Sequence, residues 1–511
     1  MHVGQRLISC SSTHPHQQFI KRLMAISWLE SWARHFITGF LGRFISTGCL
    51  ILQEEEGGET FTFQGINTCK CSLRVILRVH NPQFYWKGIR AHSMKLSSQD
   101  QGEAASDGIK VSYHISRPFQ VACLLCVGEG LRAYIILTAI DKYWELWSDH
   151  GLLNLLMLLI ANGDANKSSA EVKRKRWTPT FPTALISSSK LFFKHAMRQN
   201  SLTQARRNIS HHYDLGNEVF ALFLDETITY SCAVFKDEEE DLKVAQKRKI
   251  SALIGKARIE SKHEVLEIGF GWGTFAIELV KQTGCKYTGI TLSQEQLNFA
   301  EMKVKEAGLQ DHIRFLLCDY RELPETVKYD RIISWQVLYY LKYTCLEMIE
   351  HVGHEYMEEF FARCESVLAE EGLLVLQFIS VADAEYDELR RSPGFIAEYI
   401  FPGTCIPSLG RITSAMAAAS RLCVEHVENI GISYYHTLRC WRKNFLKNQS
   451  KITAMGFDEK FIRTWEYYFD YCAACFKSFK LWDYQVVFSR PGNVEALGNP
   501  YKGFPSAHNA P

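Results

Sequence analysis

The residue pattern best suited to ligand binding is a glycine-rich turn, Gly269-Phe270-Gly271-Trp272-Gly273. It follows a strand-like apolar run, Val265-Leu-Glu-Ile, and precedes a segment with helical periodicity, Thr274 to Gln282. Glycines let the backbone come close to a ligand, and the helix that follows exposes its first amides. A strand, a glycine-rich turn and a helix in that order predict a site for a nucleotide-like ligand.

Two ligand classes compete for this turn. A dinucleotide favours an acidic residue at the end of the second strand, for its ribose hydroxyls. The sequence has Thr291-Leu292-Ser293 there, and Glu295 comes a turn later, on the next helix. After the third strand, Asp319 and Tyr320 supply a carboxylate and an aromatic ring that suit an adenosyl group. The pattern favours S-adenosylmethionine over NAD, which stays as the less favoured alternative.

The elements around this turn alternate between strand and helix from residue 245 onward. Such alternation predicts a parallel sheet covered by helices on both faces. We expect helices over Glu295 to Ala307 and Met357 to Leu368, and two late strands near 424–428 and 484–489 that close the sheet. The other predicted strands begin at Val265, Lys286, Ile313, Asp330 and Leu373.

The part of the chain before this domain has a different pattern. Residues 20–46 have helical periodicity and 47–80 read as short strands, which together indicate a small α+β module. Residues 163–183 are polar, contain the basic run 173–176 and read as a linker. The segment 184–207 reads as a basic helix that either lies on a membrane surface or packs on the main domain with its charges in solvent. The predicted division is an N-terminal domain over 20–162, a linker, a catalytic domain over 184–492 and a tail over 493–511.

Composition bounds the function further. The net charge is +2, so no global field attracts nucleic acid, and we expect no nucleic-acid partner. We find neither a secretory signal nor a convincing membrane span, so we expect a cytoplasmic protein whose 16 cysteines are mostly free thiols. Two Cys-x-x-Cys pairs, at 123/126 and 472/475, lie in apolar helix-like runs typical of core, and no metal site is expected. Aromatic residues make up 13%, which suits a thick core, an apolar ligand tunnel or both.

Several motifs in one order resemble a known family. They are Asn208-Ile-Ser-His-His-Tyr-Asp-Leu-Gly-Asn217, Thr229-Tyr-Ser-Cys-Ala233, the glycine-rich turn, Gly289-Ile-Thr-Leu-Ser293, Glu347-Met-Ile-Glu-His-Val-Gly353, Ile400-Phe-Pro-Gly403 and Gln485-Val-Val-Phe-Ser489. This set resembles the cyclopropane-fatty-acyl-phospholipid synthases, the plant-type members most, and the related mycolic acid cyclopropane synthases. The resemblance is strong over 201–334 and 347–490 and loose over 20–86 and 150–163.

The resemblance implies a fold and a reaction. The fold is α/β, a Rossmann-like class I methyltransferase sheet with helices on both faces. A smaller α+β and helical N-terminal domain precedes it, and the resemblance implies that this domain is lipid-associated. The methyl group of S-adenosylmethionine is attacked by a cis double bond of a phospholipid acyl chain. The resulting carbocation loses a proton to a bound bicarbonate and closes to a cyclopropane. An alkene needs a dry cavity that holds it in line with the methyl group, and aromatic faces stabilise the cation.

The resemblance also assigns residues. The bicarbonate is implied to be held by Cys232, Glu350, the backbone of Ile379 and Tyr434, with Tyr435 as the alternative to Tyr434. Gln377 stands where the family has a histidine, and an amide cannot change charge. Cys472 falls where the family's active-site cysteine is assigned. The cofactor contacts are implied to come from Tyr230, Ser231, Gly269, Phe270, Gly271, Trp272, Gly273, Thr291, Leu292, Ser293, Gln296, Asp319, Tyr320 and Arg321.

Two segments depart from the family. Trp335 to Leu346 lies where the family has almost no residues, directly after the fourth strand, and it could displace Glu350. Residues 88–149 fail to match. Three hypotheses therefore stay open: the lipid cyclopropane synthase, a methyltransferase on another acceptor, and a cofactor- or lipid-binding protein without turnover.

The expected partner is an unsaturated phospholipid, which requires transient contact with a membrane surface. Lys190, Lys194 and Arg198 of the basic helix are the expected contacts, so the protein is expected to be peripheral to the membrane. A homodimer is a further possibility that the sequence does not decide.

Overall fold

A computed structural model describes residues 31–55, 58–66, 72–81, 84–85, 144–146, 151–170, 216–335, 349–391, 396, 400, 404–499 and 501–507. The chain divides into two compact units, one within Met1–Thr180 and one within Phe181–Pro511. The basic helix predicted over 184–207, the basic run 173–176 and the Cys123/Cys126 pair lie outside the described residues. So do residues 336–348, which hold most of the segment that departs from the family.

The first unit is a small sheet with helices packed on it. Its strands are β1 (Cys49–Glu54), β2 (Thr60–Gln64), β3 (Arg74–Val79) and β4 (Trp144–Leu146), in the order β2-β1-β3-β4. A helix over residues 31–44 and helix α1 (Gly151–Ala170) supply the rest of the core. The Asn162 side chain accepts hydrogen bonds from the backbone N–H groups of Ser46 and Thr47, at 2.6 and 3.0 Å. These bonds fix the chain just after the helix over residues 31–44. The expected α+β module is therefore present.

The second unit is built on a seven-stranded sheet. The strands are β5 (Glu264–Ile268), β6 (Lys286–Thr291), β7 (Ile313–Leu317), β8 (Tyr329–Ser334), β9 (Leu368–Ser380), β10 (Cys423–Asn429) and β11 (Trp482–Ser489). Their order in the sheet is β10-β11-β9-β8-β5-β6-β7. All neighbouring strands run parallel except β11, which is antiparallel to both β9 and β10. The predicted strands, including the two late ones, are confirmed.

Helices cover both faces of this sheet. Along β5, Val265 packs with helices α3 (Leu242–Ala257) and α4 (Thr274–Thr283) on one face. Leu266 packs with α7 (Met357–Val367) and α9 (Leu409–Ala419) on the other. The Rossmann-like class I methyltransferase sheet expected from the sequence is therefore confirmed. The helices are α2 (Gly216–Phe223), α3 (Leu242–Ala257), α4 (Thr274–Thr283), α5 (Gln294–Ala307), α6 (Ile349–Val352), α7 (Met357–Val367), α8 (Asp383–Arg391), α9 (Leu409–Ala419), α10 (Ile432–Lys447), α11 (Gln449–Ala454), α12 (Glu459–Lys477) and α13 (Val494–Leu497).

One residue of the departing segment belongs to the core. Trp335, which we grouped with the extra residues, follows β8 directly and is 1% exposed. Its ring lies 5.3 Å from that of Phe275, and the Lys249 ammonium lies 3.7 Å from the centre of the indole. The extra segment therefore starts after Trp335, because this side chain fills space between β8, α4 and α3.

None of the described helices combines the length and the apolar character needed to cross a lipid bilayer.

Candidate active site

The glycine-rich turn connects β5 to α4 in the conformation that glycine favours. Gly269, Gly271 and Gly273 have φ angles of 85°, 56° and 81°. The Gly269 N–H donates to the Ile290 carbonyl at 2.9 Å, which ties the turn to β6. A Cβ atom on Gly273 would lie 2.8 Å from the Cβ of Ala300, so a side chain there collides with α5. The turn thus places the first amides of α4 at the carboxyl edge of the sheet.

The next two strands bring polar residues to the same edge. Ser293 caps α5 through the Gln296 N–H, and the Thr291 hydroxyl donates to the Gln296 amide oxygen at 2.9 Å. After β7, the buried Asp319 carboxylate accepts from its own helical turn and from the Arg321 guanidinium at 2.8 and 2.9 Å. The Tyr320 ring packs edge-on against Phe360. These residues could hold the adenosyl and amino acid parts of S-adenosylmethionine, and the positive-φ glycines leave room for its close approach.

The segment 229–235 is held across this edge by two helices. Gln246 of α3 donates to the carbonyl of Ser231 at 2.9 Å. From α10, the Thr437 hydroxyl accepts from the Ala233 N–H at 3.0 Å and the Ser433 hydroxyl accepts from the Phe235 N–H at 3.3 Å. These three clamping residues escaped the sequence analysis. Tyr230, Ser231 and Cys232 are thereby fixed in the interior.

Glu350 and Ile379, two of the residues assigned by the resemblance, are in direct contact. The Ile379 backbone N–H donates to Glu350 Oε1 at 2.5 Å, and Glu350 is fully buried. Ile379 lies opposite Asp483 in the β9–β11 pair, and the Asp483 carbonyl accepts from the Ile430 N–H at 2.8 Å. Cys232 Sγ in turn donates to the Ile430 carbonyl at 3.6 Å. Cys232, Ile379 and Glu350 therefore belong to one connected group.

Gln377 joins this group to the cofactor edge. Its amide nitrogen donates to the Ser231 hydroxyl at 3.0 Å and to Asp483 Oδ2 at 3.2 Å. Its amide oxygen accepts from Gln485 Nε2 at 2.9 Å. Asp483 and Gln485 were not among the predicted site residues, although Gln485 opens one of the matching motifs. Gln377, which stands where the resemblance expects a histidine, thus offers a neutral donor in this group.

An aromatic cluster, formed by Phe220, Tyr230, Trp272, Tyr434 and Trp441, lines the same region. Phe220 lies 5.7 Å from Trp272 of the glycine-rich turn and 5.4 Å from Tyr230, measured between ring centres. Trp441 lies 4.7 Å from Tyr230 and 6.0 Å from Tyr434. Such faces exclude water and attract positive charge. The resemblance assigned Tyr434 to the site, with Tyr435 as the alternative. Tyr434 is buried in this cluster, whereas the Tyr435 hydroxyl accepts from Lys477 at the surface.

Cys472 lies on α12, beside the aromatic cluster. The hydroxyl of Tyr468, one turn before it, accepts from the Tyr230 hydroxyl at 3.3 Å. Burial raises the pKa of the Cys472 thiol well above its ordinary value. The sulfur is therefore held as a neutral thiol, which is a weak nucleophile. Cys475 is also buried on the same helix.

Glu267 is a buried acid just before the glycine-rich turn. Its carboxyl group accepts from the Tyr287 hydroxyl on β6. Burial raises the pKa of Glu267 to about 8, against the opposing effect of the hydrogen bonds from Tyr287 and Trp335. The group is neutral over much of the physiological range, which suits a position inside a sheet.

Comparison with known proteins agrees with this geometry. Residues 200–486 match the model of the mycolic acid cyclopropane synthetase family. The chain is 34% identical over 353 residues to the tuberculostearic acid methyltransferase of Mycobacterium tuberculosis, covering 68% of this chain and 77% of that protein. It is 34% identical over 279 residues to the cyclopropane-fatty-acyl-phospholipid synthase of Escherichia coli K12, covering 55% of this chain and 66% of the relative. It is 31% identical over 281 residues to the sphingolipid C9-methyltransferase of Komagataella phaffii, covering 53% and 55%.

The family match spans the sheet except for the last three residues of β11, together with the glycine-rich turn and every described residue to which the resemblance assigned a role. The chain belongs to the mycolic acid cyclopropane synthetase family of S-adenosylmethionine-dependent methyltransferases.

Proposed function

We propose that the protein adds a methylene group from S-adenosylmethionine to a cis double bond of a phospholipid acyl chain. The alkene π pair forms a bond to the methyl carbon while the sulfur keeps the electrons of the broken S–C bond. A cation is left on the other alkene carbon. A proton then leaves the added methyl group, and its C–H electron pair closes the three-membered ring.

The observation that carries this proposal is one connected group of residues at the carboxyl edge of the sheet. Glu350 is buried and held by Ile379 of β9, the strand that also carries Gln377. Gln377 contacts Ser231, which adjoins Cys232. The aromatic cluster borders the same segment through Tyr230. A buried acid linked in this way to a segment lined by aromatic rings suits a reaction that makes a cation and then removes a proton.

Two oxygen bases compete for the role of proton acceptor. One is the Glu350 carboxylate; the other is the bicarbonate implied by the resemblance. Two of the donors expected to hold the anion, from Ile379 and Cys232, point to protein oxygens, and bicarbonate has to displace Glu350 to accept from the Ile379 N–H. We therefore assign the proton to Glu350 and route no step through bicarbonate. A rate that falls when dissolved carbon dioxide is removed would reverse that assignment.

The test uses the full chain, S-adenosylmethionine with a deuterated methyl group and vesicles of cis-monounsaturated phospholipid. The proposal expects a product with one added CD₂ unit that survives ozone treatment of the extracted lipid. Ozone cleaves an alkene and leaves a cyclopropane intact, so a labelled product that is cleaved contradicts ring closure.

Methyl transfer without ring closure is the second candidate. Two relatives are named as methyltransferases, one of tuberculostearic acid and one of sphingolipid, and Gln377 supplies a neutral amide where the resemblance expects a titratable histidine. If the cation survives long enough, it loses a proton from another carbon or shifts a hydride, and the product keeps an alkene. An ozone-sensitive labelled lipid, or a labelled sphingolipid, favours this candidate. Saturable cofactor binding with no labelled lipid points instead to a binding protein without turnover.

We further propose reversible contact with the membrane, because the acyl chain must enter from a bilayer. The predicted contacts, Lys190, Lys194 and Arg198, lie outside the described residues. Reversing these three charges should weaken flotation with anionic vesicles; unchanged flotation contradicts this assignment.

A further inference from the structure

Three polar side chains lie side by side on β9, β11 and the edge strand β10. Gln377 of β9 is directly opposite Gln485 of β11, and Gln485 is directly opposite Glu428 of β10. Residues opposite each other in antiparallel strands project from the same face of the sheet. That face is the one covered by α3, since Val375 and Val487, two residues away, pack with Leu253. The three residues and Lys256 of α3 are here called the polar ladder.

Lys256 of α3 contacts two members of the ladder. It is fully buried, and its ammonium donates both to Gln485 Oε1 and to the Glu428 carboxylate. The ladder then continues by the hydrogen bond from Gln485 to Gln377 and from Gln377 to Ser231 and Asp483. It therefore runs from the edge strand β10 to the candidate active site.

The far end of the ladder is also anchored. The Glu428 carboxylate accepts from the Ser506 hydroxyl and from the Ala507 N–H, the latter at 2.8 and 3.0 Å. A buried ammonium is stable only when paired, and Glu428 supplies the opposite charge. The position of Lys256 is thus fixed on both sides.

The donors and acceptors of the ladder require one orientation of the two glutamine amides. An ammonium group has donors and no acceptor, so it requires the oxygen of Gln485 to face it. The Gln485 nitrogen must then face Gln377 and donate, which requires the oxygen of Gln377 to face back. The nitrogen of Gln377 is left facing Ser231 and Asp483. The opposite orientation of Gln377 would set its oxygen against the Asp483 carboxylate and its nitrogen against that of Gln485.

We propose that Lys256 is a positioning residue that acts through Gln485 and Gln377 to present a fixed N–H donor to Ser231 and Asp483. This inference rests on the proposed function only for its activity readout. Ser231 accepts from Gln377, so its own hydroxyl proton is not donated to that amide nitrogen. The ladder gives a neutral amide the fixed polarity that is needed to take the place of the histidine expected there.

A double-mutant cycle tests the proposal. Lys256→Met removes the donor that orients Gln485, and we expect roughly a tenfold loss of kcat in labelled-methyl transfer to lipid, since small misplacements of site groups cost about that much or more. In the Gln377→His background, an imidazole N–H faces Asp483 without needing the amide orientation, so Lys256→Met should change kcat by less than about threefold. Equal losses in the two backgrounds would mean that Lys256 is merely structural and would overturn the proposal.

Two further variants keep this test decisive. Gln485→Glu still accepts from Lys256 but cannot donate to Gln377, so it preserves the buried pair and should show the same loss and the same rescue by Gln377→His. Lys249→Met, which removes another fully buried lysine of α3 that lies over Trp335, should show no dependence on the residue at 377. A rescue of Lys249→Met equal to that of Lys256→Met would contradict the ladder.

The orientation itself can be observed without any turnover. Neutron diffraction from a deuterium-exchanged crystal distinguishes the amide nitrogen from the oxygen by its two deuterons. We expect both deuterons of Gln377 toward Ser231 and Asp483. An oxygen facing Asp483 would overturn the inference, and this result would be independent of whether the chain makes cyclopropane lipids.

Discussion

The backbone N–H of Ile379 donates to the side chain of Glu350 at 2.5 Å, although 29 residues separate them in the sequence. The contact joins the end of β9 to helix α6, which follows the residues that depart from the family. It also holds a buried carboxyl group in a single position. The first prediction concerns this group.

Glu350→Gln should keep the contact with Ile379, because the amide oxygen still accepts, but it removes the base. We expect kcat to fall by about 10²–10³-fold, as general bases typically contribute. The measurement is the rate of labelled methyl incorporation into lipid. Binding of S-adenosylhomocysteine, followed by calorimetry, should be unchanged; a variant of wild-type activity would remove Glu350 from the mechanism.

Cys472→Ala should retain most of the activity. The thiol is buried and its pKa is raised well above the ordinary value, so no thiolate is available at neutral pH. We expect kcat within about threefold of wild type and a loss of stability of about 1 kcal/mol from the small cavity. A covalent lipid or methyl adduct on Cys472, detected by mass spectrometry of the protein, would establish the opposite.

Gly273→Ala should weaken both the fold and the cofactor site. Its φ angle is +81°, and the new Cβ would meet Ala300 at 2.8 Å. We expect a loss of about 2–3 kcal/mol and weaker S-adenosylhomocysteine binding. Gly308→Ala is the matched control, with φ +68° and nothing within 4 Å of the new Cβ. It carries the backbone strain alone, about 1 kcal/mol, and should leave binding intact; equal effects of the two variants would refute the steric argument.

Trp335 belongs to the core, and the extra segment begins directly after it. Trp335→Ala should cost about 3–5 kcal/mol, because it empties a fully buried site between Phe275 and Lys249. Deleting residues 336–346 and keeping Trp335 should leave the unfolding midpoint higher than a deletion that includes it. If both deletions unfold at the same temperature, Trp335 does not contribute to the core as the structure indicates.

Glu267 should make the protein less stable as the solution becomes alkaline. Its pKa is raised to about 8 in the folded chain, above the ordinary value of 4.5, so the folded state binds the extra proton between these values. Stability from this group is full below the lower value and is lost as the pH rises through the upper one. Glu267→Gln should reduce the fall in unfolding free energy between about pH 6 and about pH 9 by at least about 1 kcal/mol. An unchanged pH dependence would show that the carboxyl group is not neutral in the native state.

The sheet could be predicted because its pattern is local. A buried strand such as Val265 to Ile268 and the glycines that follow it identify themselves by composition and order. Even Trp335 reads as core once β8 is extended by one residue. The assignment of Glu350 and Ile379 to one site came from the resemblance, since no local pattern links a short helix to the end of a distant strand. Their direct contact was not predicted.

The remainder of the site depends on tertiary register. Gln377 and Gln485 face each other only because β11 runs antiparallel to β9, in a register that neither strand specifies alone. Gln246 clamps Ser231 because α3 crosses that segment. A glutamine or lysine in an amphipathic helix reads as a surface residue, so Lys256 gave no sign that it is fully buried.

The polar ladder has a consequence for how this family can diverge. Exchanging any one of Lys256, Gln377, Gln485 or Glu428 for an apolar residue leaves a buried partner without its hydrogen bond or opposite charge. This costs about 1–3 kcal/mol or more of folding free energy. Replacing the whole set with hydrophobic residues costs far less. Among homologous sequences the four positions should therefore covary as a block, while neighbours on the opposite face, such as Leu376 and Val486, drift one at a time.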